Sequence, residues 1–512
     1  MEFRLPAKTG ISFLSALFLL SCVADDFRTL KKNPWEPELA FPLTDSHFDV
    51  KRVFSKAFED GTLITGSDGL ITMVYSGELF HVKADQLIEF QDFSIDLAVA
   101  QGELPFIGQG GMLLKNLDVD RGILQIHIED KLNQDARVEI NMPRTTKNGI
   151  PFSEQFTVKY KGATNTVFDT IYLLNGYHFD LTGPDGQQSN SININYTAEG
   201  LKDGLPIQLD VFNATFKDLS FNFLDGYLGK LNLGSYNDSM QISIWENFKS
   251  GSIILEDPRI NFTIDNSFGL PVKLTINNFT GSGVGGSSNL GGDAVDNGID
   301  VGAPTDTTSP VITTEEINSG NSNLTNFLSI TPLSINYKLE LEANSENDTT
   351  AYNFVSSTSE LIGNLDLELP LKGRLDSVVF ENTFDLDLGD ASKVDLAIFK
   401  LYTENFFPLG IYMQVYFLNE SGQVFDSLLL DNSTIFKQAV TDDKGFSKLP
   451  SVDENYFALG AERFPFVREF GKFMKVRAML LTDASSTKSV KIRDDNYLDV
   501  KIGVILKYRD DI

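Results

Sequence analysis

Residues that could do acid–base or metal chemistry are few in this chain and lie far apart. There is one cysteine, and there are four histidines, each flanked by strand-like residues: His47, His81, His127 and His178. The sequence contains no HExxH motif and no GxSxG turn that would expose a serine nucleophile. A single cysteine also excludes a Cys ligand set and an internal disulfide. We therefore expect no catalytic, metal-binding or cofactor-binding residues and no cofactor.

Acidic residues dominate the charge of the chain. The formal net charge is −29, with the acids spread along the sequence. Such a chain repels phosphate backbones, so no nucleic-acid partner is expected. Residues 293–300 include three aspartates and loosely resemble an acidic calcium loop, but their spacing matches no full EF-hand pattern, and a solvated acidic segment is the other interpretation. The many carboxylates leave open a hydrolase whose site the sequence does not reveal.

The single cysteine ends a short apolar segment near the N-terminus. Arg4 and Lys8 precede an apolar run over residues 11–20, which is too short to span a bilayer and leads into Leu19-Leu20-Ser21-Cys22. This pattern resembles the lipobox of bacterial lipoproteins. The resemblance implies that residues 1–21 are a cleaved signal peptide and that Cys22 carries acyl chains such as palmitate. An ordinary secretory signal with an incidental cysteine is the alternative.

Residues after the cysteine indicate where the lipoprotein would reside. Ala24, Asp25 and Asp26 resemble the acidic export signal of Bacteroidota surface lipoproteins, and the whole chain resembles lipoproteins of that group. The resemblance implies an outer-membrane protein, lipid-anchored and facing the cell surface. If these acids only solvate the tether, the protein would face the periplasm instead.

Alternating apolar and polar residues predict a mainly β chain. Runs such as 122–128, 240–245 and 411–417 alternate with a period of two, and turn residues separate them. Helical signals are limited to residues 83–90 and a segment after Asn323. We expect tandem antiparallel β-sandwich or β-roll modules with few short helices, and the 40 phenylalanines suit a large core.

A shift in composition predicts the domain boundaries. Residues 281–322 are rich in Gly, Ser, Thr, Asp and Asn and poor in aromatics, which favours a flexible linker. The predicted organisation is a signal peptide over 1–21, a tether over 22–40, N-terminal β domain(s) over 41–280, this linker, and a C-terminal β domain over 323–512.

Two segments repeat one another on either side of this linker. Residues 260–274 and 399–413 both contain a strand, an Asn, an aromatic, a Gly/Pro corner and a second strand, and a fainter copy passes through Asn133. The asparagines are Asn266 and Asn405. The pattern resembles the strand–Asn–Pro–strand hairpin of late-embryogenesis-abundant type-2 domains, with proline placed later than in that family. The resemblance implies small β-sandwich modules.

These features favour a non-enzymatic surface lipoprotein that binds a macromolecular partner. By analogy with similar lipoproteins, it could be an accessory subunit of an outer-membrane assembly or secretion machine, with a barrel protein as partner. Phe268, Phe406 and Phe407 at the repeated corners are candidate contacts, or alternatively core plugs. One alternative function is a glycan-binding lipoprotein of a polysaccharide-uptake system, and the other is the hydrolase. Acylated Cys22 would contact outer-membrane lipid in each case.

Overall fold

A mainly β architecture is confirmed by the structure. The computed structural model describes residues 38–53, 61–107, 111–162, 164–246, 248–386, 394–429, 434–460, 462–482 and 488–508. It is 63% strand and 6% helix. Paired strands run antiparallel in each of its six sheets. The predicted lipidation and export residues, Cys22, Ala24, Asp25 and Asp26, lie outside the described residues.

The strands are numbered in chain order. The first half of the chain contains β1 (Glu38–Asp49), β2 (Thr62–Thr65), β3 (Ile71–Lys83), β4 (Phe93–Asp96), β5 (Gly102–Pro105), β6 (Leu113–Asp130), β7 (Ala136–Lys147), β8 (Ile150–Val158), β9 (Thr166–Leu173), β10 (His178–Asp180), β11 (Ser191–Gly200), β12 (Val211–Tyr227), β13 (Leu231–Gln241), β14 (Phe248–Leu255), β15 (Arg259–Asn266) and β16 (Val272–Gly283).

The second half contains β17 (Gly286–Asn289), β18 (Ile299–Val301), β19 (Val311–Asn318), β20 (Pro332–Ala343), β21 (Asn353–Ser356), β22 (Glu360–Pro370), β23 (Lys372–Asp385), β24 (Val394–Asn405), β25 (Gly410–Leu418), β26 (Val424–Ser427), β27 (Thr434–Phe436), β28 (Val440–Thr441), β29 (Ser447–Leu449), β30 (Ser451–Leu459), β31 (Phe473–Leu481), β32 (Val490–Lys491) and β33 (Tyr497–Tyr508). The α-helices are α1 (Val50–Val53), α2 (Asp293–Asn297), α3 (Leu324–Ser329) and α4 (Phe464–Phe470).

Helical segments are as few as the sequence predicts. The expected helix over 83–90 is a single 3-10 turn, Ala84–Gln86. The helix expected after Asn323 is α3, which ends before Pro332. Asn323 does not cap it through its side chain, because its Oδ1 accepts a hydrogen bond from the Gly291 N–H at 2.9 Å.

One module consists of β4 to β12, inserted between β3 and β13, together with β21, which lies between β20 and β22. It is a ten-stranded sheet in the order β21-β12-β6-β10-β7-β11-β5, with β4 beside β12, β8 beside β7 and β9 beside β6. Its longest strand, β6, shows why the sequence folds this way, since Leu124, Ile126 and Ile128 are fully buried while the residues between them face outward. We call this the inserted module.

The remaining strands form two sandwiches that share one topology. In the central sandwich, the sheet β19-β15-β22-β3 faces the sheet β13-β20-β16-β17, with β18 beside β16. In the terminal sandwich, the sheet β30-β24-β33-β1 faces the sheet β14-β23-β31-β25-β26, with β27 beside β25 and β32 beside β23. Nine strands correspond one to one in the same chain order. A short helix links the matching strands in each copy, α3 between β19 and β20 and α4 between β30 and β31.

The structure differs from the expected division into domains before and after a linker. Strands β1 and β14, from the first half of the chain, belong to the terminal sandwich, whereas β20 and β22 complete the central one. Residues 281–322 form the end of β16 together with β17, α2, β18 and β19. Leu290, Ile299 and Val301 from this segment are buried in the main core. Its Gly- and Ser-rich composition therefore reflects short edge strands and turns, not a linker.

The three modules join end to end. At the end of the central sandwich where β15 turns into β16, the Gly269 N–H donates to the Phe354 carbonyl at 2.9 Å, and Phe354 lies in β21 of the inserted module. At the opposite end, the Leu371 N–H donates to the Ile71 carbonyl at 2.8 Å and the Leu371 carbonyl accepts from the Ile492 N–H at 2.9 Å, which joins the terminal sandwich. The central sandwich thus lies between the other two modules.

Candidate functional site

The repeated asparagine corner of the central sandwich is built by hydrogen bonds from one buried side chain. Asn266 Nδ2 donates to the Leu270 carbonyl at 3.0 Å and to the Gly302 carbonyl at 2.7 Å. Asn266 Oδ1 accepts from the Phe268 N–H at 2.9 Å. The asparagine thereby satisfies three backbone groups at the point where the chain crosses from one sheet to the other.

The terminal sandwich has the same corner at Asn405. Its Nδ2 donates to the Leu409 carbonyl and to the Lys437 carbonyl, both at 2.9 Å, and its Oδ1 accepts from the Phe407 N–H at 2.9 Å. Lys437 follows β27 as Gly302 follows β18, so even the distant partner is equivalent. The prediction that these two segments occupy equivalent corners is confirmed. The prediction of a third, fainter copy is wrong. Asn133 is exposed and lies between β6 and β7, which belong to the same sheet.

Phe268 and Phe407 are not surface contacts. Their exposed fractions are 1% and 7%, and both lie in the main hydrophobic core. Phe406 is half-buried, and its ring centroid lies 5.4 Å from that of Tyr497. The hypothesis that Phe268 and Phe407 bind a partner is therefore corrected: these rings fill the space beneath each corner.

The four histidines lie apart, and each pairs with a carboxylate from another strand. The pairs are His47 with Asp499 at 2.6 Å, His81 with Glu360 at 2.8 Å, His127 with Asp169 at 2.8 Å, and His178 with Asp118 at 2.7 Å. Three of these pairs join directly opposed residues of neighbouring strands. Cross-strand hydrogen bonding to these carboxylates accounts for their positions.

The acidic stretch at 293–300 does not form a calcium loop in the structure. Asp293 and Asp296 lie in the first turn of α2, and Asp300 pairs with Lys273 at 2.8 Å. Within the described ranges, no group of three His, Cys, Asp or Glu side chains could hold a metal ion.

The inserted module exposes an apolar strip along β9. Val167, Ile171 and Leu173 point outward with exposed fractions of 42%, 60% and 65%. The opposite face of β9 packs inward, with Phe168 stacked on Phe156 at 4.8 Å. The outward face of β9 also carries Asp169, which pairs with His127 at 2.8 Å. Sequence reasoning missed this strip, although Val167, Ile171 and Leu173 alternate with the aromatic residues Phe168 and Tyr172.

Strand β9 is also an open edge. Among the described strands it pairs with β6 alone. The Leu174 N–H donates to the Gly122 carbonyl at 2.8 Å, so alternation directs the N–H groups of Ile171 and Leu173 away from β6. Lys161 Nζ covers one end of this edge by donating to the Val167 carbonyl at 3.3 Å. The main-chain groups of Asp169, Ile171 and Leu173 therefore face an edge that no other described strand occupies.

A groove adjoins the apolar strip. It has a volume of about 930 Å³, and its lining includes Phe90, Asp92, Arg121, Leu173 and Asp218. Arg121 is ion-paired with its neighbour Asp120 at 3.3 Å. On the inward face of β9, burial and the nearby Glu154 carboxylate raise the pKa of Tyr172, so this side chain stays neutral.

A second exposed apolar feature lies in the terminal sandwich. Phe466 and Phe470 of α4 are 59% and 47% exposed, with ring centroids 6.0 Å apart and planes at 26°. They line a cavity of about 380 Å³ together with Phe425 and Arg463. The Arg463 guanidinium binds the Asp426 carboxylate through three hydrogen bonds of 2.7–3.2 Å, so these two charged groups of the lining are paired with each other.

Comparisons with known proteins leave these sites unassigned. No family model matches the sequence, and no curated protein matches it. Over 91% of this chain and 99% of the other, the structure is similar to a protein of Parabacteroides distasonis described as secreted, with 12% identity and a TM-score of 0.26. It is also similar to a cowpea mosaic virus empty particle, with 9% identity, a TM-score of 0.14, and coverage of 55% of this chain and 89% of that one. At these TM-scores the likenesses define no fold family.

No helix in the described part of the chain has both the length and the hydropathy to cross a membrane.

Proposed function

We propose that this protein is a non-enzymatic binding protein of the outer bacterial surface, anchored through acylated Cys22, that binds a protein partner through the inserted module. The observation that carries the proposal is the open, apolar edge of β9. Edge strands with exposed main-chain groups pair readily with an extended segment of another chain, and native proteins usually cover or charge such edges. Here three outward apolar side chains accompany the open edge.

The order of the modules supports this assignment. Strand β1 begins at Glu38, within the segment 22–40 expected to be the tether, and lies in the terminal sandwich. The inserted module is attached to the far side of the central sandwich. A chain tethered at its N-terminus therefore presents β9 away from the membrane, where a surface or secreted partner can reach it. The resemblance to late-embryogenesis-abundant domains and the assignment to Bacteroidota remain part of this proposal.

Site-specific photocrosslinking in intact cells tests the proposal. A photoreactive amino acid at Ile171 should capture one discrete protein, identified by mass spectrometry. The matched control is Ile312, which lies on the edge strand β19 with 61% exposure, against 60% for Ile171. Equal capture at both positions, or no capture at Ile171, would contradict the proposal.

A backbone variant separates strand pairing from simple apolar contact. Ile171→Pro removes an outward N–H while leaving the hydrogen bonds to β6 in place. Ile171→Val keeps the N–H and most of the apolar surface. With the photoreactive residue moved to Leu173, we expect capture to be lost in Ile171→Pro and retained in Ile171→Val. Retention in both would show that the partner does not extend the sheet.

A further inference from the structure

The exposed phenylalanines of the terminal sandwich lie at the end of the molecule where the tether enters. Across the sheet, Leu39 of β1 pairs with Leu506, which pairs with Ala397, which pairs with Leu459. Helix α4 begins five residues after Leu459. The first residues of β1 and helix α4 therefore share one end of the sandwich, opposite the end that joins the central sandwich.

Comparison of the two sandwiches shows that this aromatic pair is not needed for the fold. Helices α3 and α4 bury matching residues, Leu324 and Phe327 in one, Phe464 and Val467 in the other. At the position matching Phe466, the central sandwich has the exposed polar residue Asn326. The shared topology thus forms without an exposed aromatic ring at this position.

The two helices also differ in what lies beyond them. Helix α3 packs against β14, which belongs to the terminal sandwich, the next module in line. Helix α4 occupies the matching end of the terminal sandwich, where the described chain provides no further module. An end surface that is covered by protein in one copy is thus left apolar and exposed in the other.

We propose that Phe466 and Phe470 insert into the lipid surface to which Cys22 is anchored, and so fix the orientation of the molecule on the membrane. This inference rests on the anchoring part of the proposed function. The 15 residues between Cys22 and Glu38 can extend to about 55 Å, so the tether alone does not hold the terminal sandwich against the bilayer. Two exposed phenylalanine rings provide the apolar area for a second contact.

Local charge agrees with a lipid surface as the occupant. The chain carries a net charge of −29, but residues 462–472 contain three basic and two acidic residues. Because this segment is not negatively charged overall, anionic headgroups do not repel it as they repel the rest of the chain. Phenylalanine also lacks the polar group with which tyrosine or tryptophan would hydrogen-bond a sugar, which favours lipid over a glycan.

The chain's single cysteine makes a direct test feasible. Because Cys22 is consumed by acylation, Phe466→Cys gives one free thiol for a spin label in the full mature lipoprotein. The protein is reconstituted in vesicles of phosphatidylethanolamine and phosphatidylglycerol, and collisions with oxygen and with a water-soluble nickel chelate are measured. The matched control is the label at Asn326→Cys, and melting temperatures check that both variants fold.

We expect the label at 466 to show a several-fold higher ratio of oxygen to nickel collisions than the label at 326, as a lipid-immersed site does. Equal aqueous ratios at both positions in vesicle-bound protein would overturn the inference. In native outer membranes, shielding of position 466 from both reagents would indicate a protein contact and would also overturn it. Failure of the protein to float with vesicles would instead contradict the anchor, and neither result bears on capture at Ile171.

A second measurement addresses the contribution of each ring. In the mature chain, residues 22–512, with Cys22→Ser, which has neither the signal peptide nor acyl chains, Phe466→Ser and Phe470→Ser should each lower the partition ratio onto the same vesicles about tenfold. Phe425→Ser is the comparison at a less exposed ring of the same cavity, and a smaller loss is expected. Unchanged partitioning in both helix variants would contradict the inference.

Discussion

A single buried asparagine stabilises each of the two equivalent corners of the central and terminal sandwiches. Asn266 and Asn405 are 0% and 1% exposed, and each satisfies backbone groups of its own corner loop and of the residue just after a distant strand, β18 or β27. A hydrocarbon side chain would leave those groups without partners in the core, at a cost of about 1–3 kcal/mol for each unsatisfied group. This requirement explains why a polar residue recurs at a fully buried position.

Removal of either corner ring should destabilise its own sandwich. Phe268→Ala and Phe407→Ala each leave a cavity beneath a corner, and we expect a loss of about 3–5 kcal/mol in the free energy of unfolding. Urea denaturation of the purified chain measures this loss. Phe466→Ala is the control, because its ring is exposed and its loss should leave the unfolding midpoint nearly unchanged. Equal effects of all three would contradict the assignment of Phe268 and Phe407 to the core.

Two aspartates near the same end of the inserted module should respond oppositely to pH. Burial raises the pKa of Asp130, so the folded state binds its proton more tightly than the unfolded state does. Stability from this group is full below its unfolded pKa and falls as pH rises through the folded pKa. Asp130→Asn should therefore raise the unfolding midpoint at neutral pH, and the gain should shrink toward pH 4.

Asp203 provides the matched comparison. A hydrogen bond from the Leu205 N–H, together with one from Gln134, lowers the pKa of Asp203. Its contribution is present above the unfolded pKa and is lost as pH falls through the folded pKa. Asp203→Asn should lower the midpoint at neutral pH, with the difference vanishing in acid. Thermal melts from pH 4 to 8 check both variants, and shifts of the same sign would contradict this account.

Cys22 and its acidic neighbours determine location in the proposed function. Cys22→Ala should release the protein from the membrane or leave an unprocessed precursor, as fractionation and immunoblotting will show. Replacing Asp25 and Asp26 by alanine should preserve acylation but protect the chain from protease added to whole cells. Unchanged surface cleavage would mean that these acids only solvate the tether.

At the scale of elements, alternation predicted strands well but not how they pair. The β-rich fold, the rarity of helix and the equivalence of the two corners follow from local patterns, since each depends on residues close in sequence. Pairing depends on contacts across the whole chain, as when Glu38 of β1 pairs with Lys507 of β33. The domain boundaries and the open edge of β9 depend on such pairings, so composition and periodicity could not provide them.

The segment 281–322 shows how composition can mislead. Its glycines and serines indicate a linker when counted, yet Ile299 of β18 is 4% exposed. Strand β18 pairs with β16, and the Gly302 carbonyl just after it accepts from the Asn266 corner. Short edge strands need few apolar residues when a neighbouring sheet covers them.

Ile299→Ala should therefore destabilise the protein, whereas a linker residue would tolerate the change. The expected loss is about 2–5 kcal/mol in the free energy of unfolding. Ile312→Ala, on the exposed face of β19 in the same segment, is the control and should be nearly silent. Limited proteolysis should also leave this segment protected until the chain unfolds. Early cleavage between β17 and β19 would contradict this placement.

For the whole molecule, the arrangement of modules suggests a spacer that carries a binding module. The central and terminal sandwiches point the same way along the row of modules. The asparagine corner of the central sandwich faces the inserted module, and that of the terminal sandwich faces the central sandwich. Backbone hydrogen bonds cross both junctions, and Asn344 and Asn353 form a buried bond of 2.9 Å beside the inserted module. Junctions with such bonds resist bending, so the distance between the two ends should be well defined.

That distance is measurable on vesicles. Sandwich strands of 12 residues, such as β20 and β24, are roughly 40 Å long, so two sandwiches place the inserted module roughly 80 Å from the tether end. A fluorophore introduced at Gly149→Cys, in the turn between β7 and β8, should show little energy transfer to a dye in the membrane. A fluorophore at Gly422→Cys, in the turn after β25 near α4, should transfer strongly. If the difference in energy transfer between the two sites is lost in the Phe466→Ser, Phe470→Ser double variant, the rings hold the molecule upright. Strong transfer from both sites without these two substitutions would instead mean that the molecule lies flat on the membrane.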